Sequence, residues 1–250
     1  MDTIFDQLTL TRNEDGGYTV TACDKAAVSV TVPETVDGIP ITAIGDGAFE
    51  DCVRLCEIFL PEAGELAFLD NMGLTKIGEY AFSGCKSLKR IELPESIGTV
   101  GRGAFHGCTA MTAAVLPQWV YLAPYAFSGC RALRKISPIK TVSEGLFTGC
   151  VSLEAITLKD SCKEVDDDAF EHCESLREIT LPRNVSRVGA LAFRGCFKLE
   201  KVIFLDPDGW YSHNRYREED VKIDVSDPKK NAKCLREADF DDGGAGWYKR

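Results

Sequence analysis

Cysteine and histidine are the residues of this sequence best suited to chemistry, and there are eleven cysteines and three histidines. Such residues can bind zinc, form disulfides or, as a hydrogen-bonded cysteine–histidine pair, supply a nucleophile. His106 lies two residues before Cys108, and His172 lies directly before Cys173. No two cysteines have the Cys-x-x-Cys spacing found in many zinc sites. Which of these chemistries is open to the chain therefore depends on the elements that position the cysteines.

Those elements belong to an internal repeat that is marked by phenylalanine, usually preceded by alanine. The marker residues are Phe49, Phe82, Phe105, Phe127, Phe147, Phe170 and Phe193. The intervals between them are 33, 23, 22, 20, 23 and 23 residues. The first interval reads as a coil of 23 residues with about ten residues inserted, near residues 64–73. A period of this length is typical of a solenoid.

Four other positions of the repeat are filled by cysteine or by apolar residues in every coil. The cysteine three residues after the marker is Cys52, Cys85, Cys108, Cys130, Cys150, Cys173 and Cys196. Apolar residues also stand six and nine residues after the marker and five residues before it. The segment Leu-x-x-Ile-x-Leu predicts a short strand, often ended by a proline such as Pro94. One coil cannot offset its own ordering entropy by burial, so the coils must stack.

The repeat resembles the BspA-like class of leucine-rich repeats, whose pattern is close to Ile-Gly-x-x-Ala-Phe-x-x-Cys-x-x-Leu-x-x-Ile-x-Leu-Pro. Residues 77–94 follow this pattern almost throughout, and the resemblance covers about residues 18–205. It implies an α/β repeat solenoid, a right-handed leucine-rich-repeat horseshoe with short parallel strands on the concave face and short helical or irregular return segments. It also implies a binding protein, because many members are bacterial cell-surface or secreted proteins that bind host or partner macromolecules.

One cysteine per coil predicts a ladder of thiols spaced about 5 Å apart, the separation of neighbouring strands. Side chains that point the same way fit disulfide geometry poorly, and a row of ligands does not form a zinc tetrahedron. We therefore expect buried free thiols, with Cys56 and Cys162 at surface positions, and no metal, cofactor or catalytic residue. The histidines next to ladder cysteines are expected to face solvent. Residues 166–168, all aspartate, are interpreted as a solvated turn, with weak calcium binding as the alternative.

The two ends of the chain are predicted to cap the stack, because terminal coils would otherwise expose their core. Residues 1–41 are assigned to an N-terminal cap and partial first coil, residues 42–205 to the repeats, and residues 206–250 to a C-terminal cap. An independent functional tail is the alternative for the last segment. Between the fourth and fifth coils, Ser137-Pro138 interrupts the strand pattern and predicts a local irregularity.

The outward-facing positions of the strands are the candidate binding surface. One column contains Phe59, Glu92, Val115, Thr157 and Thr180, and its neighbour contains Lys135 and Glu178. The first column is unusually apolar for an exposed position, and massed apolar groups often mark an interaction site. We take these seven residues as candidates for partner binding. The alternative for Phe59, and for Ile203 further along the column, is that the insertion and the C-terminal segment cover them.

Charge and composition limit the classes of partner that the protein could bind. The formal net charge is −10, which argues against nucleic acid or an anionic membrane surface. No apolar run approaches the ~18 residues that a membrane span needs, and Met1–Asp6 does not read as a secretory signal. We expect a monomer, cytoplasmic as the chain stands, or at the cell surface or secreted if a signal has been removed.

The predicted function is a binding or adhesion module that recognises a protein or glycan through the solenoid surface, without catalysis. Two alternatives remain open: a structural or self-assembly role, and an activity carried by the last 46 residues.

Overall fold

The computed structural model describes residues 2–61, 73–214, 219–237 and 246–249. The predicted insertion near residues 64–73 and the acidic stretch at residues 239–242 lie almost wholly outside this described part. The chain divides into two compact units, Met1–Ser137 and Pro138–Arg250. The division falls at Ser137-Pro138, where the sequence pattern is interrupted. No helix within the described ranges is long and apolar enough to cross a membrane.

The N-terminal unit begins with three antiparallel strands, β1 (Asp2–Phe5), β2 (Leu8–Arg12) and β3 (Tyr18–Cys23). Strand β3 then pairs in parallel with β6 (Ile39–Ile44), the first strand of the repeats. Alternate residues of β2 and β3, including Leu8, Leu10 and Val20, are buried, so one face of this small sheet covers the first coil. Between β3 and β6 lie β4 (Ser29–Thr31) and β5 (Thr35–Val36), of which β5 pairs antiparallel with β6.

Each complete coil of this unit contributes two strands, whereas the sequence predicted one. The first ladder contains the aliphatic residue five positions before the marker phenylalanine. It runs through β6, β8 (Lys76–Ile77), β10 (Thr99–Val100) and β12 (Tyr121–Leu122). The second ladder contains the predicted Leu-x-x-Ile-x-Leu strands: β7 (Glu57–Phe59), β9 (Arg90–Glu92), β11 (Ala113–Val115) and β13 (Lys135–Ile136). All pairs within these repeats are parallel, which confirms the predicted repeat solenoid.

The marker phenylalanines form the centre of the core. Phe49, Phe82, Phe105 and Phe127 are fully buried, and their rings stack with centroids 4.8, 5.2 and 5.2 Å apart. The segment around each ring is a series of turns and contains no helix. The residues two before and two after each marker have positive φ in all seven coils. Eight of these fourteen positions are glycine, the residue that enters this region at little cost.

The C-terminal unit repeats this arrangement over three coils. Phe147, Phe170 and Phe193 stack at 5.6 and 5.3 Å, and two pairs of parallel strands flank them. These are β14 (Glu164–Val165) with β16 (Arg187–Val188), and β15 (Glu178–Leu181) with β17 (Lys201–Phe204). The predicted strand around Ile156 does not form, and only a bridge from Ile139 to Leu158 is present there. Pro138 has no backbone N–H for a ladder bond, which accounts for this loss.

The chain after Phe204 folds onto the last coil. It contains β18 (Trp210–Asn214), β19 (Glu219–Lys222), helix α1 (Pro228–Arg236) and β20 (Trp247–Lys249). Asp227 begins the helix by accepting hydrogen bonds from Lys229 N and Lys230 N, at 2.9 and 3.2 Å. Strand β20 pairs antiparallel with β16 and with β18.

Candidate binding surface

Four of the predicted partner-binding residues lie on the second ladder of the N-terminal unit. They are Phe59 on β7, Glu92 on β9, Val115 on β11 and Lys135 on β13. The parallel register places Glu92 directly beside Val115. Phe59 keeps 55% of its surface exposed, Glu92 and Lys135 are exposed, and Val115 is half-buried. The alternative that the insertion covers Phe59 concerns residues that lie outside the described part of the chain.

The other three predicted residues lie in the C-terminal unit. Glu178 and Thr180 are exposed on β15, where Lys201 Nζ of β17 contacts Glu178 Oε2 at 3.1 Å. Thr157 is exposed but lies outside any strand, and its carbonyl accepts a hydrogen bond from Ile139 N at 3.1 Å. Ile203, for which cover by the C-terminal segment was the alternative, is half-buried. The structure therefore provides two candidate surfaces, one in each unit.

A cleft of about 320 Å³ opens on the first of these surfaces, between β7 and β9. We call it the β7–β9 cleft; its lining residues are Cys56, Glu57, Ile58, Phe59, Leu60, Lys89, Arg90 and Glu92. Its volume lies at the lower end of the ~300–1,000 Å³ range of small-ligand pockets. Phe59 and Glu92 were predicted as binding residues, whereas Lys89, Arg90 and Cys56 were missed. The sequence feature that could have pointed to these residues is the insertion that follows Phe59, between β7 and the next coil in sequence.

The charges of the cleft are mixed and partly paired. Arg90 Nη2 contacts Glu92 Oε2 at 3.0 Å, and both side chains remain more than half exposed, at 58% and 60%. An exposed pair of this kind contributes only ~0–1 kcal/mol to stability. Both groups are therefore available to exchange their contact for one with a partner at little cost.

Five of the ladder cysteines act as thiol donors inside the repeats, whereas a hydrogen bond with Cys23 lowers the pKa of the ladder residue Cys52 to about 7. Cys85, Cys108 and Cys130 each donate a hydrogen bond from Sγ to the carbonyl of the phenylalanine in the preceding coil, at 3.1, 3.2 and 3.1 Å. Cys173 and Cys196 do the same in the C-terminal unit, at 3.3 and 3.0 Å. Burial raises the pKa of the Cys173 thiol well above its ordinary value and that of Cys196 to about 12. Such thiols are poor nucleophiles and poor metal ligands.

Cys56 and Cys162 were both expected at surface positions. Cys162 was expected at the surface, but it is fully buried, and burial raises the pKa of its thiol to about 11. It occupies a core position because it precedes Phe170 by eight residues, as the buried Ile97 precedes Phe105. Cys56 is half-buried, and Cys234, on helix α1, is exposed.

The two histidines near ladder cysteines do not form nucleophilic pairs with them. His106 and His172 are exposed, while Cys108 and Cys173 are buried and donate to backbone carbonyls. The nearest carboxylate oxygen to His172 Nε2 is Glu171 Oε1, at 3.8 Å.

Two of the three consecutive aspartates are engaged by an arginine. The Arg187 guanidinium binds Asp166 Oδ1 through Nη1 and Asp167 Oδ1 through Nη2. Asp167 Oδ1 also accepts a hydrogen bond from Ala190 N at 2.9 Å. Desolvation and the nearby Glu171 raise the pKa of Asp168. Within the described ranges, no cluster of three histidine, cysteine or carboxylate residues has the arrangement of a metal site.

The structure is a stack of coils with parallel strands, and each coil carries one marker phenylalanine and one ladder cysteine. These features place the chain in the class of leucine-rich-repeat solenoids. The family model described as "BspA type Leucine rich repeat region" matches in 6 copies, over residues 65–145 and 119–208. The chain belongs to this family, as the sequence resemblance indicated. A search of the curated proteins returned no match.

Two solved structures resemble the chain closely enough to compare. The leucine-rich-repeat protein TpLRR of T. pallidum is 29% identical, with a TM-score of 0.69 over 80% of this chain and 91% of its own. A leucine-rich cell surface protein of Faecalibacterium prausnitzii is 25% identical, with a TM-score of 0.70 over 91% of this chain. The match spans 62% of that second protein. Both likenesses support the repeat fold.

Proposed function

We propose that this protein is a binding module that recognises a protein or glycan partner through the outward face of its second strand ladder. Members of its family are in general protein-binding or surface-adhesion scaffolds. The observation that carries the proposal is Phe59, a large apolar residue with 55% of its surface exposed beside a cleft with charged groups. Exposed aromatic residues next to polar rims are frequent anchors of protein interfaces.

The proposed place of action is the bacterial cell surface. This rests on the Faecalibacterium prausnitzii relative, which is described as a leucine-rich cell surface protein. The proposed mode of action is binding without chemistry. It is supported by five ladder cysteines whose thiols are buried and bonded to backbone carbonyls: Cys85, Cys108, Cys130, Cys173 and Cys196.

We propose that residues 206–250 serve as a cap and that the protein is a monomer. Asn231 Nδ2 donates to Val202 O at 3.1 Å, Arg236 Nη1 donates to Leu199 O at 2.8 Å, and β20 covers the edge of β16. An edge covered in this way does not invite end-to-end stacking. Removal of residues 246–250 should expose β16 and cause concentration-dependent association, observed by sedimentation. A truncated chain that stays monomeric at every concentration would contradict the capping role.

The binding role is tested with separate charged substitutions on the two candidate surfaces. Full-length protein with Val115→Asp or Thr157→Asp is compared with the unchanged protein on protein and glycan arrays. We expect Val115→Asp to weaken the signal, because a carboxylate would enter the half-buried centre of the ladder face. Loss with Thr157→Asp alone would move the site to the C-terminal unit. Retention of full binding by both variants would exclude the parts of the strand faces around Val115 and Thr157.

A further inference from the structure

The second strand ladder of the N-terminal unit is interrupted between β7 and β9. Among the described strands, β7 pairs with β4 alone, in register from Ser29–Glu57 to Thr31–Phe59, whereas β9 pairs with β11. Lys89 N still donates to Cys56 O at 3.3 Å at the start of the two strands. Beyond that point no strand pairing joins β7 to β9 within the described ranges, and the β7–β9 cleft is lined by residues of both strands.

This interruption leaves backbone groups available at the cleft. In the next coil Leu93 N donates to Val115 O at 3.0 Å, and in the previous one Val32 N donates to Phe59 O at 2.9 Å. Among the described residues, Leu60 N makes no equivalent bond to Glu92 O. Backbone donors and acceptors of this kind bind the main chain of an extended peptide.

The side chains of the cleft favour the same kind of occupant. Phe59, Ile58 and Leu60 supply an apolar wall, while Lys89 and Arg90 oppose Glu57 and Glu92 in charge. A protein segment offers an apolar side chain, both signs of charge and main-chain hydrogen bonds within a few residues. A neutral glycan offers hydroxyl groups but neither complementary charges nor an aliphatic side chain.

We infer that the β7–β9 cleft binds an extended segment of a protein partner, with an apolar side chain packed on Phe59 and charged neighbours paired with Arg90 and Glu92. The inference rests on the proposed binding function and narrows it to one class of partner and one site. The segment contacts the two strands through its main chain and the charged rim through its side chains.

The test uses the full-length chain and a displayed library of random linear peptides as the probe. We expect enriched peptides to carry an aromatic or aliphatic residue flanked by basic and acidic residues. Phe59→Ser should weaken binding of an enriched synthetic peptide by about tenfold or more, as for loss of an anchoring aromatic residue. The matched control is Phe197→Ser, which removes a phenylalanine that is 69% exposed in the C-terminal unit.

A second readout uses Cys56 as a handle inside the cleft. In a Cys234→Ser background, a bulky maleimide on Cys56 should block the peptide, and bound peptide should slow the labelling. The control is the unlabelled Cys234→Ser variant, which should bind the peptide as the unchanged protein does, because Cys234 is exposed on helix α1, outside the cleft. Together these experiments show whether the peptide occupies the cleft, even if one substitution perturbs the local fold.

The possible failures are distinguishable. Peptide binding that survives both Phe59→Ser and the Cys56 label would overturn the cleft as the site, while the binding function would stand. If no peptide is enriched but a glycan array gives a signal, the protein-segment inference is wrong and the broader proposal is retained. Absence of binding to both probes would overturn the inference and the proposed function alike.

Discussion

The ladder cysteine combines two properties that no other single side chain offers at that position. It fills a small apolar space next to the phenylalanine stack, and its thiol donates to a carbonyl of the preceding coil, as Cys108 does to Phe82 O at 3.2 Å. Alanine would fill part of the space without the hydrogen bond, and serine would add a larger desolvation cost. The sequence predicted a buried free thiol here, and the structure adds the hydrogen bond as the physical reason for cysteine.

One consequence of a buried thiol is that the folded protein loses stability at alkaline pH. Burial raises the pKa of the Cys162 thiol from 9.0 to about 11, so the folded chain holds this proton longer than the unfolded chain. The stabilising effect is complete below pH ~9 and is lost as the pH rises towards 11.

Urea unfolding between pH 8 and 10.5 should therefore show a falling free energy of unfolding. Cys162→Ala should reduce the slope by up to about 1.4 kcal/mol per pH unit, the value for one proton. Cys234→Ser, which removes an exposed thiol, should leave the slope unchanged. Equal slopes in the unchanged protein and Cys162→Ala would show that the thiol ionises equally in both states.

The marker phenylalanines are fully buried at the centre of the core. Phe127 is fully buried, and its ring stacks on that of Phe105 at 5.2 Å. Phe127→Ala should cost about 3–5 kcal/mol in urea unfolding, as for other buried aromatic residues. Phe197→Ala, at an exposed position, should change the free energy of unfolding by less than ~0.5 kcal/mol. A loss below ~1 kcal/mol for Phe127→Ala would contradict a core role for the marker.

At the scale of elements, the turn around each phenylalanine depends on two residues in the left-handed region. The second of them, two residues after the marker, has φ between 53° and 74° in all seven coils. Five coils place glycine there, while Asp51 and His172 occupy the other two. The sequence displays these glycines, but only the backbone angles show that they close the turn that carries the cysteine into the core.

The turn can be tested with two alanine substitutions in the same coil. Gly107 has φ of 68° and room for a Cβ, whose nearest neighbour would be Gly84 N at 3.9 Å. Gly107→Ala should therefore cost about 1–2 kcal/mol through backbone strain alone. Gly98 lies outside the left-handed region and also has room, so Gly98→Ala should be neutral or stabilise by about 0.4–1 kcal/mol. Equal effects of the two substitutions on urea unfolding would contradict this account.

At the scale of the whole molecule, burial divides the eleven cysteines into two groups. Nine are buried, Cys56 is half-buried and Cys234 is exposed. Titration of the native protein with a thiol reagent should therefore modify two residues rapidly, and all eleven in denaturant. Cys56→Ser combined with Cys234→Ser should abolish the rapid phase. Rapid modification of more than two thiols would show that coils open under native conditions.

The sequence by itself determined the repeat, its register and its core. Seven phenylalanines, seven cysteines and the apolar positions around them recur at fixed offsets. Within each unit the phenylalanine rings stack on those of the neighbouring coils. A local sequence pattern is then sufficient to predict the core, because stacking repeats the same contacts from coil to coil. The family, the buried phenylalanines and the free thiols of the ladder all followed from that pattern.

Only the tertiary structure decided the features that the repeat pattern does not display. These are the first strand ladder, the burial of Cys162 and the charged cleft between β7 and β9. The cleft, for example, depends on how far the strands that carry Phe59 and Arg90 pair with each other, which the residue types alone do not show. The repeat therefore specifies the scaffold, while the site on which the proposed function depends is created where the ladder is interrupted.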